Sequence, residues 1–224
     1  AADQIAVSLL ARTGHDFSGF ETIMRKLQTQ EDYQLTDDFA LWRSHPAVKE
    51  RLSFILARQK KEKTEFAVDS KRLAAENALF ERIRAKLYGF LYPSKKTLER
   101  YPEKDVSLPA RYARTVAFYK DGYFKKALEH IDALIADYPD DPYFYELKGQ
   151  ILFETGRAAE AVEPYRKAVE LLQDSVLMRV GLIQAQIEKD DPDSLLRAQK
   201  ELSAFANTGH EIPLIWRLQA IVYG

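Results

Sequence analysis

Apolar residues recur every three or four positions along most of the chain, in stretches broken by turns that carry Gly, Pro and Asp. That spacing gives one sticky face to a helix, whereas a strand would alternate at every second residue. The pattern therefore predicts an all-α protein. Ile5, Leu9 and Leu10 mark a first helix, Thr13-Gly14-His15-Asp16 a turn, and Phe20, Ile23, Met24 and Leu27 a second apolar stripe. Residues 30–45 lose the period, and Phe39, Leu41 and Trp42 cluster there among Asp32, Asp37 and Asp38, so an irregular loop with a short anchor is expected. Ser44-His45-Pro46 opens the next helix, because a Ser hydroxyl satisfies orphan N–H groups and the fixed φ of Pro suits a first turn. Leu52, Ile55 and Leu56 supply its buried face. Asp69-Ser70 caps a long helix whose buried stripe is read as Leu73, Phe80, Ile83, Leu87 and Phe90, up to Pro93. A short helical piece around Leu98 leads to a boundary at Tyr101-Pro102.

The second half repeats itself. Lys120 to Leu128 lines up with Glu154 to Val162, which places Gly122 and Gly156, and then Ala127 and Ala161, 34 residues apart. This is the period of the tetratricopeptide repeat, a pair of antiparallel helices that buries its apolar face on its neighbour. The Gly allows a tight turn between the two helices, and the small Ala five residues later lets them approach closely. Ile131, Leu134 and Ile135, answered by Tyr165, Ala168 and Val169, are the expected inter-repeat core. A third unit runs from Val180 to Ile187, turns at Asp190 to Asp193 and returns from Leu195 to Phe205. Its Ala198 lies 37 residues after Ala161, which predicts about three residues inserted into the turn. Residues 212–220 read as a closing helix, needed because an end unit has no neighbour to cover it.

Composition narrows the function more than it names it. The chain has 224 residues, 46% hydrophobic and 30% charged, enough for a sizeable core and too apolar for global disorder. Lys plus Arg number 33 against 34 acidic residues, a net charge of −1, so the electrostatic footprint of a nucleic-acid binder is missing. The basic run Lys60, Lys61 and Lys63 reads as a solvated helix end. There is no Cys, which excludes disulfides, thiol catalysis and Cys-ligated zinc. No apolar run approaches the roughly 18 residues of a membrane-spanning helix. The start at Ala1, with no basic segment ahead of an apolar stretch, does not read as a signal peptide and is expected to be the middle of a longer protein.

Several segments of the first half resemble bacterial zinc metallopeptidases of the CAAX prenyl protease type. The residues that carry the resemblance are Ala2-Asp3, Arg12-Thr13-Gly14-His15-Asp16 and Phe20 to Leu27, then Ser44-His45-Pro46 followed by Arg51. Ala85 to Leu91, Arg100-Tyr101-Pro102 and Leu108 to Ala113 are similar to the linker that leads into a tetratricopeptide domain in the periplasmic branch of that family. Ala6 or Val7 stands where the family has Gly, and Asp16-Phe17 where it has Asp-Pro. The zinc-binding His-Glu-x-x-His helix has no counterpart. The His210-Glu211 pair is followed by Pro213 and Leu214, which break the helix and remove the second ligand. The family's further Glu ligand would fall just before Ala1.

The resemblance implies roles for three residues. Asp3 matches a carboxylate that orients a metal ligand, and otherwise reads as a first-turn Asp favoured by the helix dipole. His45 matches a His that can reach zinc as an extra ligand, and otherwise makes a local bond at a helix start. Arg51 matches an Arg that assists the substrate carbonyl, and otherwise pairs with a carboxylate such as Glu50 or Asp38. Zinc is expected in a parent protein and none in this chain, which should be inactive alone. His15 and His130 match nothing. The implied organisation is a peptidase remnant over 1–68, a helical linker over 69–105, and three repeats with a closing helix over 106–224. Tetratricopeptide arrays bind proteins or peptides in the concave groove lined by their first helices. Carrying those positions over gives Tyr112, Tyr119, Lys120, Tyr143, Glu146, Gln150, Phe153 and Gln184. The basic pairs that clamp a peptide carboxylate are absent there, so aromatic and hydrogen-bonding contacts are expected. The implied location is periplasmic or envelope-associated. The competing reading is a freestanding tetratricopeptide adaptor with the N-terminal helices as its cap.

Overall fold

The structure is a computed structural model that describes residues 2–34, 47–61, 70–206 and 213–223. Among the described residues the fold is all helical and holds twelve helices and no strand. The chain divides into two compact units, Ala1–Glu76 and Asn77–Gly224.

The first unit packs α1 (Ala2–Arg12), α2 (Ser18–Gln34) and α3 (Val48–Lys61) around Val7, Phe17, Met24, Leu52 and Ile55. Gly14 turns the chain after α1 with φ 73°, a left-handed conformation that suits a residue without Cβ. The stripes read from the sequence are only partly buried: Ile5, Leu9 and Ile23 are exposed, and Val7 and Phe17 do more of the packing. The helix α2 runs through Gln34, so residues 30–34 are helical where an irregular loop was expected. The anchor residues Phe39, Leu41 and Trp42, and the Ser44-His45-Pro46 helix start, lie outside the described residues. His15 contacts Glu76 at 3.1 Å, joining the α1–α2 turn to the start of α4 (Ser70–Leu91).

The second unit is a tetratricopeptide-type solenoid. Three helix pairs follow one another: α6 (Leu108–Lys120) with α7 (Phe124–Asp137), α8 (Pro142–Glu154) with α9 (Ala158–Leu171), and α10 (Val176–Lys189) with α11 (Pro192–Ala206). First helices begin at 108, 142 and 176 and second helices at 124, 158 and 192, so the interval is 34 residues throughout. The insertion expected in the third turn is therefore not there. Gly122 and Gly156 take φ of 78° and 74°, and Asp190 takes their place with φ 54°, since Asp tolerates the left-handed region. Leu195 occupies the position of the small residue, and Ala198, about one turn along, is fully buried.

The expected inter-repeat residues are in the core. Ile131 and Leu134 join Tyr112, Phe144, Leu147 and Ile151, and Ile135 packs at the margin of that cluster. Tyr165 lies with Leu152, Ala161 and Leu182. The last helix, α12 (Pro213–Tyr223), closes the stack with Ile215 and Leu218 against Val180, Ile183 and Leu202.

Ahead of the repeats, the second half of α4 and the short α5 (Ser94–Arg100) belong to the same packed unit. Where α4 comes closest to α6, its residues are small. Ala85 is fully buried with Tyr101, Ala110 and Ala113, and Gly89 lies so close to α6 that a Cβ there would come within 2.9 Å of Val116. Of the stripe read from the sequence, only Phe90 reaches the core, while Leu73, Phe80, Ile83 and Leu87 are exposed. Buried Arg114 fixes the segment before α6 by donating to the carbonyl oxygens of Tyr101, Pro102 and Asp105 at 3.2, 2.7 and 2.8 Å.

Candidate docking face on the first helices

The 34-residue interval stacks equivalent positions of α6, α8 and α10 as ladders. Tyr112, Glu146 and Val180 form one; Val116, Gln150 and Gln184 a second; Tyr119, Phe153 and Ile187 a third; Lys120, Glu154 and Glu188 a fourth. Seven of the eight groove residues expected from the sequence thus fall in these four ladders, and Tyr143 stands at the start of α8 outside them. What covers them differs from repeat to repeat.

Over the first repeat and the N-terminal half of α8 in the second, the face is occupied by α4 itself. Arg82, Lys86 and Phe90 are spaced four residues apart and share one side of that helix. The Arg82 guanidinium donates to the Asp141 carboxylate at 2.7 Å and lies 5.0 Å from the centre of the Tyr143 ring and 5.9 Å from that of Tyr112. Lys86 reaches Glu146 at 3.4 Å. Phe90 meets the Tyr119 ring edge to face at 6.3 Å. Lys120 donates to the carbonyl oxygens of Phe90, at 3.2 Å, and of Tyr92, so its charge sits at the negative C-terminal end of α4.

Tyr112 is consequently buried, with its ring edge-on to Phe144 at 5.1 Å, and its hydroxyl has no hydrogen-bond partner. Burial pushes its phenol pKa well up, and the Glu146 carboxylate adds to the shift. Tyr143 keeps an exposed edge beside the Arg82 guanidinium.

The second repeat carries a fixed carboxylate. Tyr119 donates its hydroxyl to Glu154, and Gln150 donates its amide to both the Tyr119 oxygen and Glu154, each at 3.0 Å. Burial, then the bond to Glu154, holds the Tyr119 phenol protonated far above its usual range. Phe153 is half-buried at the edge of the Leu152–Tyr165–Leu182 cluster, and Gln184 is half-buried one repeat on. Sequence reasoning missed Glu154, Arg82 and Lys86, although the four-residue spacing of Arg82, Lys86 and Phe90 was there to read.

In the first unit, Asp3 and Arg51 form one pair. The guanidinium donates twice, Nε to Oδ2 and Nη2 to Oδ1, both at 2.8 Å, and the two side chains are 19% and 28% exposed. The bonds from Arg51 hold the Asp3 carboxyl below its ordinary pKa. Arg51 thus pairs with Asp3 and not with Glu50, while Asp38 and His45 lie outside the described residues. Among the described residues there is no group of three or more His, Cys, Asp or Glu that could hold a metal ion, and no helix is long and apolar enough to cross a membrane.

Comparison with known proteins agrees with this repeat geometry. Residues 112–176 match the tetratricopeptide repeat. Over 201 residues the chain is 23% identical to the β-barrel assembly-enhancing protease of Yersinia pestis, an alignment that takes in 88% of this chain and 40% of that protein. The chain is thus a repeat-bearing protein distantly related to that protease, and spans less than half of its length. Neither match supports the CAAX prenyl protease type read from the sequence. Tetratricopeptide repeats place it among proteins that act through protein–protein interaction.

Proposed function

We propose that this chain is the docking part of an envelope metalloendopeptidase: its first-helix face receives a substrate or assembly partner for a catalytic domain carried elsewhere in the parent protein. The observation that carries the docking half is the unbroken 34-residue ladder of first helices, which presents Gln150 and Gln184 in register, with Phe153 one turn from Gln150, beyond the part that α4 covers. The protease half is supported by the 23% identity to the β-barrel assembly-enhancing protease across 88% of the chain, and a periplasmic location by the same relative. In such a parent, zinc would supply the Lewis acid and the activated water. Asp3 is engaged with Arg51, and the described residues offer no ligand set of their own, so no catalytic step is assigned to them.

Capture from an envelope extract tests the docking half. The chain should retain a partner that the Phe153→Ala and Gln184→Ala variants lose, and identical capture by all three removes it. The coding region upstream of Ala1 tests the protease half. A His-Glu-x-x-His motif within about one domain length, ~150 residues, is expected. A start codon close to Ala1 with no such motif leaves the freestanding adaptor.

A further inference from the structure

The docking reading leaves the partner's chemistry open, and the distribution of charge on the three first helices narrows it. Every cation on α6, α8 and α10 is already engaged. Arg111 pairs with Asp137, Arg114 and Lys120 hold backbone carbonyls, Lys148 pairs with Asp132, Arg179 with Glu201 and Lys189 with Asp191. Of the carboxylates on α8 and α10, Glu146 is matched by Lys86. Glu154 and Glu188, one repeat apart at the same helical position, are exposed and are not matched by a cation among the described residues.

Two features turn this imbalance into a preference. Glu154 is held by the Tyr119 hydroxyl and the Gln150 amide, neutral donors that fix its geometry and leave its charge uncompensated. And α4 shows how this face holds a segment laid along it: Lys86 sits on a carboxylate, Arg82 on a carboxylate and two tyrosine rings, and an aromatic residue follows one turn later. Ala85 and Gly89 lock α4 in place, so it is a fixed occupant and the next segment must bind beside it.

Resting on the docking reading, we propose that the open part of the first-helix face, centred on Glu154 and Glu188 with Phe153 as its apolar floor, receives a cationic peptide segment of a partner protein. The partner presents Lys or Arg side chains about one repeat apart, flanked by an apolar residue. Neighbouring helix axes are about 8–10 Å apart, a span that basic residues two helical turns or three extended residues apart can match.

The test uses the full chain and two labelled synthetic peptides of twelve residues, one with two Lys and two Leu on one helical face in an Ala/Gln background, the other with both Lys replaced by Gln. Fluorescence anisotropy at low salt should show the Lys peptide binding about tenfold more tightly, an advantage that shrinks as the Debye length shortens. Glu154→Gln and Glu188→Gln should each remove about threefold, and the double variant nearly all of the preference, while Glu163→Gln changes nothing. Equal binding of the two peptides, or a preference that survives the double variant, overturns the proposal. If both peptides bind equally and Phe153→Ala weakens both, the cationic preference falls while docking on this face stands. If neither binds, the proposal falls, and the docking reading is decided by the capture experiment.

Discussion

The ring of Tyr165 in α9 lies directly on the Cα of Gly181 in α10. A Cβ built on Gly181 would come within 2.5 Å of the ring, and one built on Gly149 in α8 within 2.8 Å of the same ring. Both glycines are helical, where Gly is a weak choice by propensity. They leave room for a ring that packs between the second and third repeats beside Leu152 and Leu182. Gly181→Ala should therefore destabilise the protein by about 1–3 kcal/mol despite its better helix propensity, because the ring's retreat is limited by Gly149. Urea unfolding checks this, and a gain in stability would show the ring to be free to move.

Three phenols in the repeats, Tyr112, Tyr119 and Tyr165, have pKa values raised above the ordinary 10.0, with burial the leading cause in each. A raised pKa means that the unfolded chain gives up its proton first as the pH climbs. The stabilisation is complete below the unfolded value near 10 and is lost as pH rises from there towards the folded value. Stability should fall above pH 10 by about 1.4 kcal/mol per pH unit for each phenol involved. Tyr112→Phe isolates one share. The Tyr112 hydroxyl has no partner to lose, so the variant should match the parent at pH 7 and exceed it at pH 11. Denaturant midpoints at both pH values decide it.

The repeat was legible because its signals are local: a Gly that must turn, a small residue near it, and a period that survives divergence. The third turn is harder to read because Ala198 resembles Ala161, whereas Leu195 is its counterpart in register and Asp190 supplies the left-handed turn without a Gly. The groove positions were legible by register, but what covers them was not. Lys86 meeting Glu146 spans 60 residues, and a sequence gives no measure of which cation reaches which carboxylate at that separation. Asp3 and Arg51 were both singled out, but their pairing over 48 positions was invisible for the same reason.

That pair carries its own prediction. A bidentate, partly buried guanidinium–carboxylate contact is stronger than the usual surface ion pair, and a double-mutant cycle of Asp3→Asn and Arg51→Gln should give a coupling energy of about 1 kcal/mol. The Asp3 pKa is lowered from 3.8 by the Arg51 bonds, so the coupling should be complete above that value and vanish as pH falls through the lower folded one. Thermal unfolding at pH 7 and pH 3 measures both, and a coupling unchanged at pH 3 would contradict the pairing.

Apolar residues in α4 were assigned to the core by their spacing, yet the helix turns its small residues inward. Leu87 is 51% exposed, while Gly89, two positions on, is pressed against Val116 and the carbonyl oxygen of Ala113. Hydrophobic spacing identifies a helix with one apolar side, but a helix can pack closely on another only where its side chains are short, and here that requirement selects Ala85 and Gly89. The two positions should therefore respond in the order opposite to their hydrophobicity. Leu87→Gln should cost within about 0.5 kcal/mol, as an exposed substitution does, whereas Gly89→Val should cost about 1–3 kcal/mol or more by forcing α4 away from α6. If instead Leu87→Gln proves the more damaging in urea unfolding, the exposed stripe of Phe80, Ile83 and Leu87 is covered in solution by another surface, and the loss should then depend on protein concentration if that surface is a second copy of the chain.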